Sequence, residues 1–317
     1  MTAAGIPNAL PGPLVRVEQP LVLISQAQRS GGTLLLRLLD GHPQCLVAPF
    51  QLRGIDEAAK HALTDPEEAW RALYDPKLAL RSRRGHRQRK GAVLDEGDVF
   101  PFELEPALQR SIYHACVAER SRPSGRDFFD CYFTSYFNAW LDYRNLAAAP
   151  KRWVVGFEPA VASSPSRRNA VSGLYPDGRV ISIVRDPWSW YASARRWEPR
   201  WRDREEALLH WRRASNGALK WRRQRSKQAA RLLRFDRLLT ETEETMRRIA
   251  AWLGVDFVPG LLEPTFNGRP IRANSAEEVV QYGVLSDRRE SSVDPETAAR
   301  IAELAGDLYE RARAASV

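Results

Sequence analysis

Leu21-Val-Leu-Ile-Ser-Gln-Ala-Gln-Arg-Ser-Gly-Gly-Thr-Leu-Leu-Leu-Arg-Leu-Leu39 passes from a short apolar run through a small polar loop into an apolar run at helical spacing. That order predicts a buried strand, a tight turn and a helix start. The turn itself, Arg29-Ser30-Gly31-Gly32-Thr33, has the makings of an anion cradle. Glycines let the backbone approach closely, and the free N–H groups of a helix N-terminus face the ligand with a favourable dipole. Arg29 adds a fixed charge on a bidentate fork. An ordinary strand-to-helix turn would also carry two glycines, so the reading depends on a second site further along the chain. The nucleoside-triphosphate loop G-x-x-x-x-G-K-[ST] is not present. Aligned on Thr33, its lysine falls on Gly32 and its leading glycine on Gln26, which disfavours ATP chemistry.

Length allows one large domain, with residues 1–19 as a proline-rich leader (Pro7, Pro11, Pro13) and 20–317 as the folded unit. A net charge of +9 points to anionic partners. Lysine occurs at only six positions, so 42 of the 48 basic residues are arginine, which base-composition bias explains as readily as function does. Cys45, Cys116 and Cys131 form no CxxC and read as reduced core thiols, which favours a reducing, cytoplasmic compartment. No signal peptide and no membrane span is indicated, and no His/Asp cluster at ligand spacing suggests a metal.

Outward from the loop, the first helix should stop at Asp40-Gly41-His42-Pro43, and residues 56–80 look helical with starts at Asp65-Pro66 and Asp75-Pro76. The basic run Arg81–Lys90 reads as a solvated loop or, more sharply, as an electrostatic trap. Helical patterns over 103–120 and 127–148 carry an aromatic stripe (Phe129, Tyr132, Phe133, Tyr136, Phe137, Trp140) that reads as core. Trp153–Phe157 and Val180–Val184 suit buried parallel strands, and Ala230–Phe235 is a further strand candidate. Helices are expected over 188–227, over 241–253 closed by Gly254, and over 294–314; residues 259–291 look irregular. The alternation predicts one α/β domain with a central parallel sheet flanked by helices.

The second site is Val184-Arg185-Asp186-Pro187, where a strand ends in arginine and Pro187 opens a helix that carries Ser193. Together the two loops resemble those of PAPS-dependent sulfotransferases, PAPS being 3′-phosphoadenosine-5′-phosphosulfate. In that family an Arg/Lys-Ser-Gly-x-Thr loop holds the 5′-phosphosulfate, and a later strand-ending Arg with a Ser eight positions on holds the 3′-phosphate. The matches are Arg29–Thr33, then Arg185 and Ser193, in the same order. Leu233-Arg-Phe-Asp-Arg-Leu-Leu239, with Thr245 and Leu253-Gly254, is similar to the family's "RYEDLL…T…FLG" signature. Pro264–Ser275 is similar to a nucleotide-side loop of bacterial members and contains Arg269 and Arg272. The resemblance covers roughly residues 20 to 290. It departs at Gln26-Ala27-Gln28, where Gly and Pro often precede the basic residue.

The resemblance implies a P-loop-like sulfotransferase architecture and sulfuryl transfer from PAPS to a hydroxyl or amine, without a metal. It places Arg29, Ser30, Gly31, Gly32, Thr33, Leu34, Arg185, Ser193, Arg269 and Arg272 on the donor. The general base is expected to be Glu158, although the family's Lys beside it is missing; His42 and His114 are the other candidates. Two alternatives remain. Arg195-Arg-Trp-Glu-Pro-Arg-Trp-Arg-Asp-Arg204, with Trp211 and Trp221, interleaves aromatic and basic residues as single-strand nucleic-acid binders do, or as a platform for a sugar or polyanionic acceptor would. A nucleotide kinase-like protein is the other, weakened by the missing lysine.

Overall fold

A computed structural model describes residues 13–87, 99–271 and 293–316. Strand β1 (Leu21–Ile24) is buried at all four positions and divides its side chains between two cores, Leu21 and Leu23 to one face, Val22 and Ile24 to the other. A strand that buries both faces belongs in the middle of a parallel sheet, and β1 lies there. Helix α1 (Gly32–Leu39) follows the loop, then β2 (Cys45–Gln51), α2 (Ile55–Lys60), α3 (Pro66–Leu73) and α4 (Lys77–Arg84). A short antiparallel pair, β3 (His86–Arg87) and β4 (Val99–Phe100), precedes the helical hairpin α5 (Pro106–Ala118) and α6 (Gly125–Ala139). Then come β5 (Trp153–Phe157), α7 (Pro165–Leu174), β6 (Arg179–Val184), α8 (Pro187–Trp197), α9 (Arg204–Gln224) and β7 (Ala230–Arg234). The chain continues through α10 (Phe235–Thr240), α11 (Thr242–Leu253), the hairpin β8 (Thr265–Phe266) and β9 (Arg269–Pro270), and α12 (Pro295–Ala315).

The main sheet has the order β2-β5-β1-β6-β7 and every pairing in it is parallel. Leu23 pairs with Gly156 on one side and Val180 on the other, so β1, β5 and β6 end at one edge. The chain crosses β1 on its way from β5 to β6, and a crevice at such a crossing is where open α/β sheets bind ligands. α1 and α11 cover one face through Leu35, Leu39, Met246 and Ile249, while α5 and α6 cover part of the other through Tyr113, Phe129 and Phe133. α8, α9 and α12 form a third apolar cluster around Trp190, Trp211 and Leu232.

Local signals fixed most helix starts. Asp65, Asp186 and Asp294 each cap a helix that opens with proline, accepting from the backbone N–H three residues on. Gly254 closes α11 in the left-handed conformation at φ 66°. The aromatic stripe of α6 is core, as expected.

Several features differ from the sequence reading: the helix expected over 188–227 breaks between Trp197 and Arg204, and that expected over 127–148 ends at Ala139. No strand was expected at β2, which contains Pro49. It is tolerated because β2 is the sheet's edge and its pairing with β5 shifts register between Val47 and Gln51. Cys116 and Cys131, expected to be reduced, form a disulfide between α5 and α6. The antiparallel hairpin brings their Cα atoms to 5.5 Å, within disulfide reach, whereas their separation in sequence carries no such signal. Only Cys45 is a free thiol, so cysteine usage no longer argues for a reducing compartment. The stretch 88–90 of the basic run, the first twelve residues of the leader, and Arg272 lie outside the described residues. Residues 13–19 run beside α6, where Val15 and Val17 donate their N–H groups to Asn138 and Thr134.

Candidate functional site

The β1–α1 loop begins by extending the sheet, with Ser25 N–H donating to the Ile181 carbonyl at 3.0 Å. It then bends through two left-handed residues, Arg29 at φ 67° and Gly31 at φ 93°. A non-glycine residue held there is strained by about 1–3 kcal/mol, and such strain collects at ligand sites. Left-handed residues within a turn also aim successive N–H groups into one concavity. The N-terminus of α1 has no side-chain cap and no acidic residue in its first turn, so its N–H groups at Gly32, Thr33 and Leu34 are left for a ligand. A Cβ at Gly31 would lie 2.4 Å from the Phe235 ring, and one at Gly32 would lie 2.2 Å from the Gln26 side chain. Close approach therefore favours glycine at both positions, and the backbone φ does so at Gly31. Ser30 is buried and its hydroxyl has no partner, and the Arg29 Nε is likewise buried and unpartnered. Thr33 and Leu34 are half-buried in the first turn.

Arg185 leaves the end of β6 and reaches this loop. Its Nη1 donates to the Arg29 carbonyl at 3.1 Å, its Nε donates to the Ser189 hydroxyl at 3.0 Å, and its guanidinium lies over Phe235 at 4.8 Å. The two loops expected from the sequence are thus joined in one structure. The Asp186 carboxylate caps α8 and accepts from the Ser189 hydroxyl, so Ser189 stands between it and Arg185. Burial pushes Arg185 down to about 10, opposed by Asp186 and reinforced by the Arg29 charge. Burial also lowers Arg29, whose guanidinium rests on the exposed ring of Trp197 at 4.7 Å. Ser193 is half-buried one helical turn beyond Ser189, on the same face of α8. Indoles hold the loop carbonyls: Trp190 Nε1 donates to Gln28 at 2.6 Å and Trp211 Nε1 to Arg185 at 3.1 Å.

Glu158 follows β5 at the same sheet edge, its N–H bonded to the Ile24 carbonyl at 3.0 Å. It is buried and caps the short 3-10 turn Pro159–Val161, accepting from Ala160 N–H at 3.1 Å. Burial raises its pKa; hydrogen bonds from Gln51 and Ala160 and the nearby Arg167 act the other way. Its partners lie on the β2 side, those of Arg29 on the β6 side. Beyond Gln51 a cavity of about 30 Å3, the size of one water, lies between β2 and α6, lined by Phe50, Gln51, Arg53, Phe129, Tyr132 and Tyr136.

Other sequence candidates have structural partners. His42 accepts from Gln44 N–H on Nδ1 and donates from Nε2 to the Asp256 carbonyl, and burial lowers its pKa, so it is a neutral, turn-closing residue. His114 pairs with Glu67 at 3.2 Å on α5. Arg269 sits in the β8–β9 hairpin, which is bound to the C-terminal end of α1 through Thr265 and Gly268 on Asp40. None of that hairpin's described hydrogen bonds reaches the Arg29 loop. Trp201, Trp211 and Trp221 are buried, so they offer no platform to a base or a sugar; Trp197 alone of that interleaved group is exposed. Ser189 was not singled out in the sequence, and Gln26, Trp197 and Phe235 were named only within longer motifs, because their roles come from tertiary contact. Among the described residues no group of three His, Cys, Asp or Glu could hold a metal ion, and no helix is long and apolar enough to cross a membrane.

Known proteins share this fold. The chain resembles the sulfotransferase domain from the curacin biosynthetic pathway, at 17% identity and a TM-score of 0.53 over 91% of this chain and 98% of that one. It also resembles the sulfotransferase from Alicyclobacillus acidocaldarius, at 15% identity and a TM-score of 0.49 over 94% and 96% of the two chains. At 17% identity the likeness to the curacin-pathway domain speaks for the fold alone. No curated protein matches the chain. The model of the sulfotransferase family matches residues 20–259, all five strands of the main sheet and both of these loops, and the chain belongs to that family.

Proposed function

We propose that the protein transfers a sulfuryl group from PAPS to a hydroxyl or amine acceptor. The observation that carries this reading is the convergence of Arg29 and Arg185 on one loop whose helix N-terminus and Ser30 hydroxyl lack partners. Two guanidiniums, a set of free N–H groups and a buried hydroxyl suit a phosphosulfate, since buried donors left unpaired cost about 1–3 kcal/mol each. The backbone N–H groups of Gly31, Gly32, Thr33 and Leu34 and the Ser30 and Thr33 hydroxyls would hold the 5′-phosphosulfate. Arg185 and Ser193 would hold the 3′-phosphate, with Ser189 orienting Arg185. When bound, the donor supplies a sulfuryl group whose bond to the phosphate oxygen breaks as a bond to the acceptor oxygen or nitrogen forms, leaving 3′,5′-ADP. Arg29 offsets the charge that gathers on the leaving phosphate. Glu158 takes the acceptor proton, and a carboxylate raised by burial is better matched to that task at neutral pH.

Calorimetry with 3′,5′-ADP, 5′-AMP and ATP tests the reading. A charge-assisted contact to the 3′-phosphate contributes about 1.5–3 kcal/mol, so 3′,5′-ADP should bind about ten- to a hundredfold more tightly than 5′-AMP. Equal affinities would remove the 3′-phosphate site.

A further inference from the structure

Among the described residues strand β7 pairs only with β6, and along its other flank lies a cavity of about 450 Å3 bounded by β7 and α11. Arg231, Leu233, Arg237, Glu244, Ile249 and Trp252 are among the residues lining it. It shares no lining residue with the Arg29 loop or with Arg185. Two of its arginines are neutralised: Arg248 pairs with Glu244 at 2.5 Å and Arg237 with Glu241 at 3.6 Å.

Arg231 is not. Among the described residues no carboxylate pairs with it, nor with its neighbours Arg179 and Arg222, although all three are half-buried. Their faces are covered by indole rings instead. Arg179 lies between Trp153 at 4.8 Å and Trp252 at 5.1 Å, and Arg231 lies on Trp252 at 5.6 Å. A ring face satisfies the face of a guanidinium but leaves its N–H edge unbonded. Arg179 Nη1, Arg222 Nε and Trp252 Nε1 are all buried donors without a partner. Burial and mutual repulsion lower both Arg179 and Arg231. Grouped cations and unpaired donors beside a cavity of ligand size suit an anionic ligand.

We propose that this cavity is a second anion site, which binds a small sulfate- or phosphate-bearing molecule through Arg231 with the Trp252 indole alongside, Arg179 adding its charge from the Trp252 ring. It is independent of the donor site and of the reaction proposed above. The shared chemistry is a tetrahedral oxyanion, free or carried on an aromatic ester.

The test is a calorimetric titration of the full chain with inorganic pyrophosphate, in the wild type and in Arg185→Ala, Arg231→Gln and the double variant. Two sites are expected in the wild type, one in each single variant and none in the double. Arg231→Lys keeps the charge and should retain the second site, so a folding defect in Arg231→Gln would not obscure the result. A wild type with one site, abolished by Arg185→Ala alone, would overturn the proposal, as would two sites persisting in Arg231→Gln. Inorganic sulfate and an aryl sulfate ester, titrated into Arg185→Ala, separate the sources. About tenfold tighter binding of the ester identifies an aromatic anion stacked on Trp252, and equal binding identifies a free oxyanion. Binding of neither overturns the site.

Discussion

Gly31→Ala should damage the protein twice, and the two losses can be separated. The backbone at Gly31 has φ 93°, outside the regions open to an L side chain, which costs about 1–2 kcal/mol. The new methyl would also stand 2.4 Å from Phe235 Cδ2 and 2.6 Å from its Cε2, so the ring must move. Overpacking of this kind costs about 1–3 kcal/mol, and the sum is about 2–5 kcal/mol. Phe235 also carries the Arg185 guanidinium at 4.8 Å, so its displacement should loosen the grip on 3′,5′-ADP. Urea denaturation of the wild type, Gly31→Ala, Phe235→Leu and the double variant isolates the clash. Phe235→Leu removes the ring but leaves φ unchanged, so the cycle should show a coupling of about 1–3 kcal/mol, with Gly31→Ala less harmful once Phe235→Leu is already in place. Additivity within about 0.5 kcal/mol would mean that the ring does not press on the loop, and the argument for a shared Gly31–Phe235–Arg185 wall would fail.

Arg29→Ala should lower turnover far more than 3′,5′-ADP affinity, because its charge acts on the leaving group; stopped-assay kinetics with wild-type turnover would refute that role. Glu158→Gln should lower kcat by about two to four orders of magnitude at unchanged 3′,5′-ADP affinity. Because burial raises Glu158, the wild-type kcat/KM should fall as pH drops through a value above the ordinary 4.5, and that acid limb should vanish in the variant. A limb that survives in Glu158→Gln belongs to another group. Thiol titration of unfolded, unreduced protein should find Cys45 alone, and reduction of Cys116–Cys131, which closes a 15-residue loop, should cost about 3 kcal/mol in a urea melt. Three reactive thiols without reductant would refute the pairing.

The β1 strand, its loop and α1 were legible because each is written locally: an apolar run, two glycines, then leucines at helical spacing. Arg185 was legible for the same reason, at a strand end before a helix-opening proline. β2 was not, since Pro49 is tolerated only by virtue of an edge position that no local pattern announces. Nor was the function of the tryptophans. Interleaved with arginine they read as a binding platform, yet Trp201, Trp211 and Trp221 are buried, and Trp211 spends its N–H on a loop carbonyl. Ser193 was chosen from a spacing, whereas the hydroxyl that touches Arg185 belongs to Ser189, one turn earlier. Such contacts depend on how a helix leaves its strand, and that angle is set by packing.

The indoles on the loop carbonyls bear on the proposed choice of an anion over a cation. A peptide turn has two polar ends, and a turn with its oxygens facing inward would cage a cation. Here the oxygens of Gln28, Arg29 and Arg185 are each occupied, by Trp190, by Arg185 and by Trp211. The N–H groups of Gly32, Thr33 and Leu34, by contrast, carry no side-chain cap. Replacing Trp190 or Trp211 with phenylalanine would release a carbonyl beside the phosphosulfate proposed for this loop.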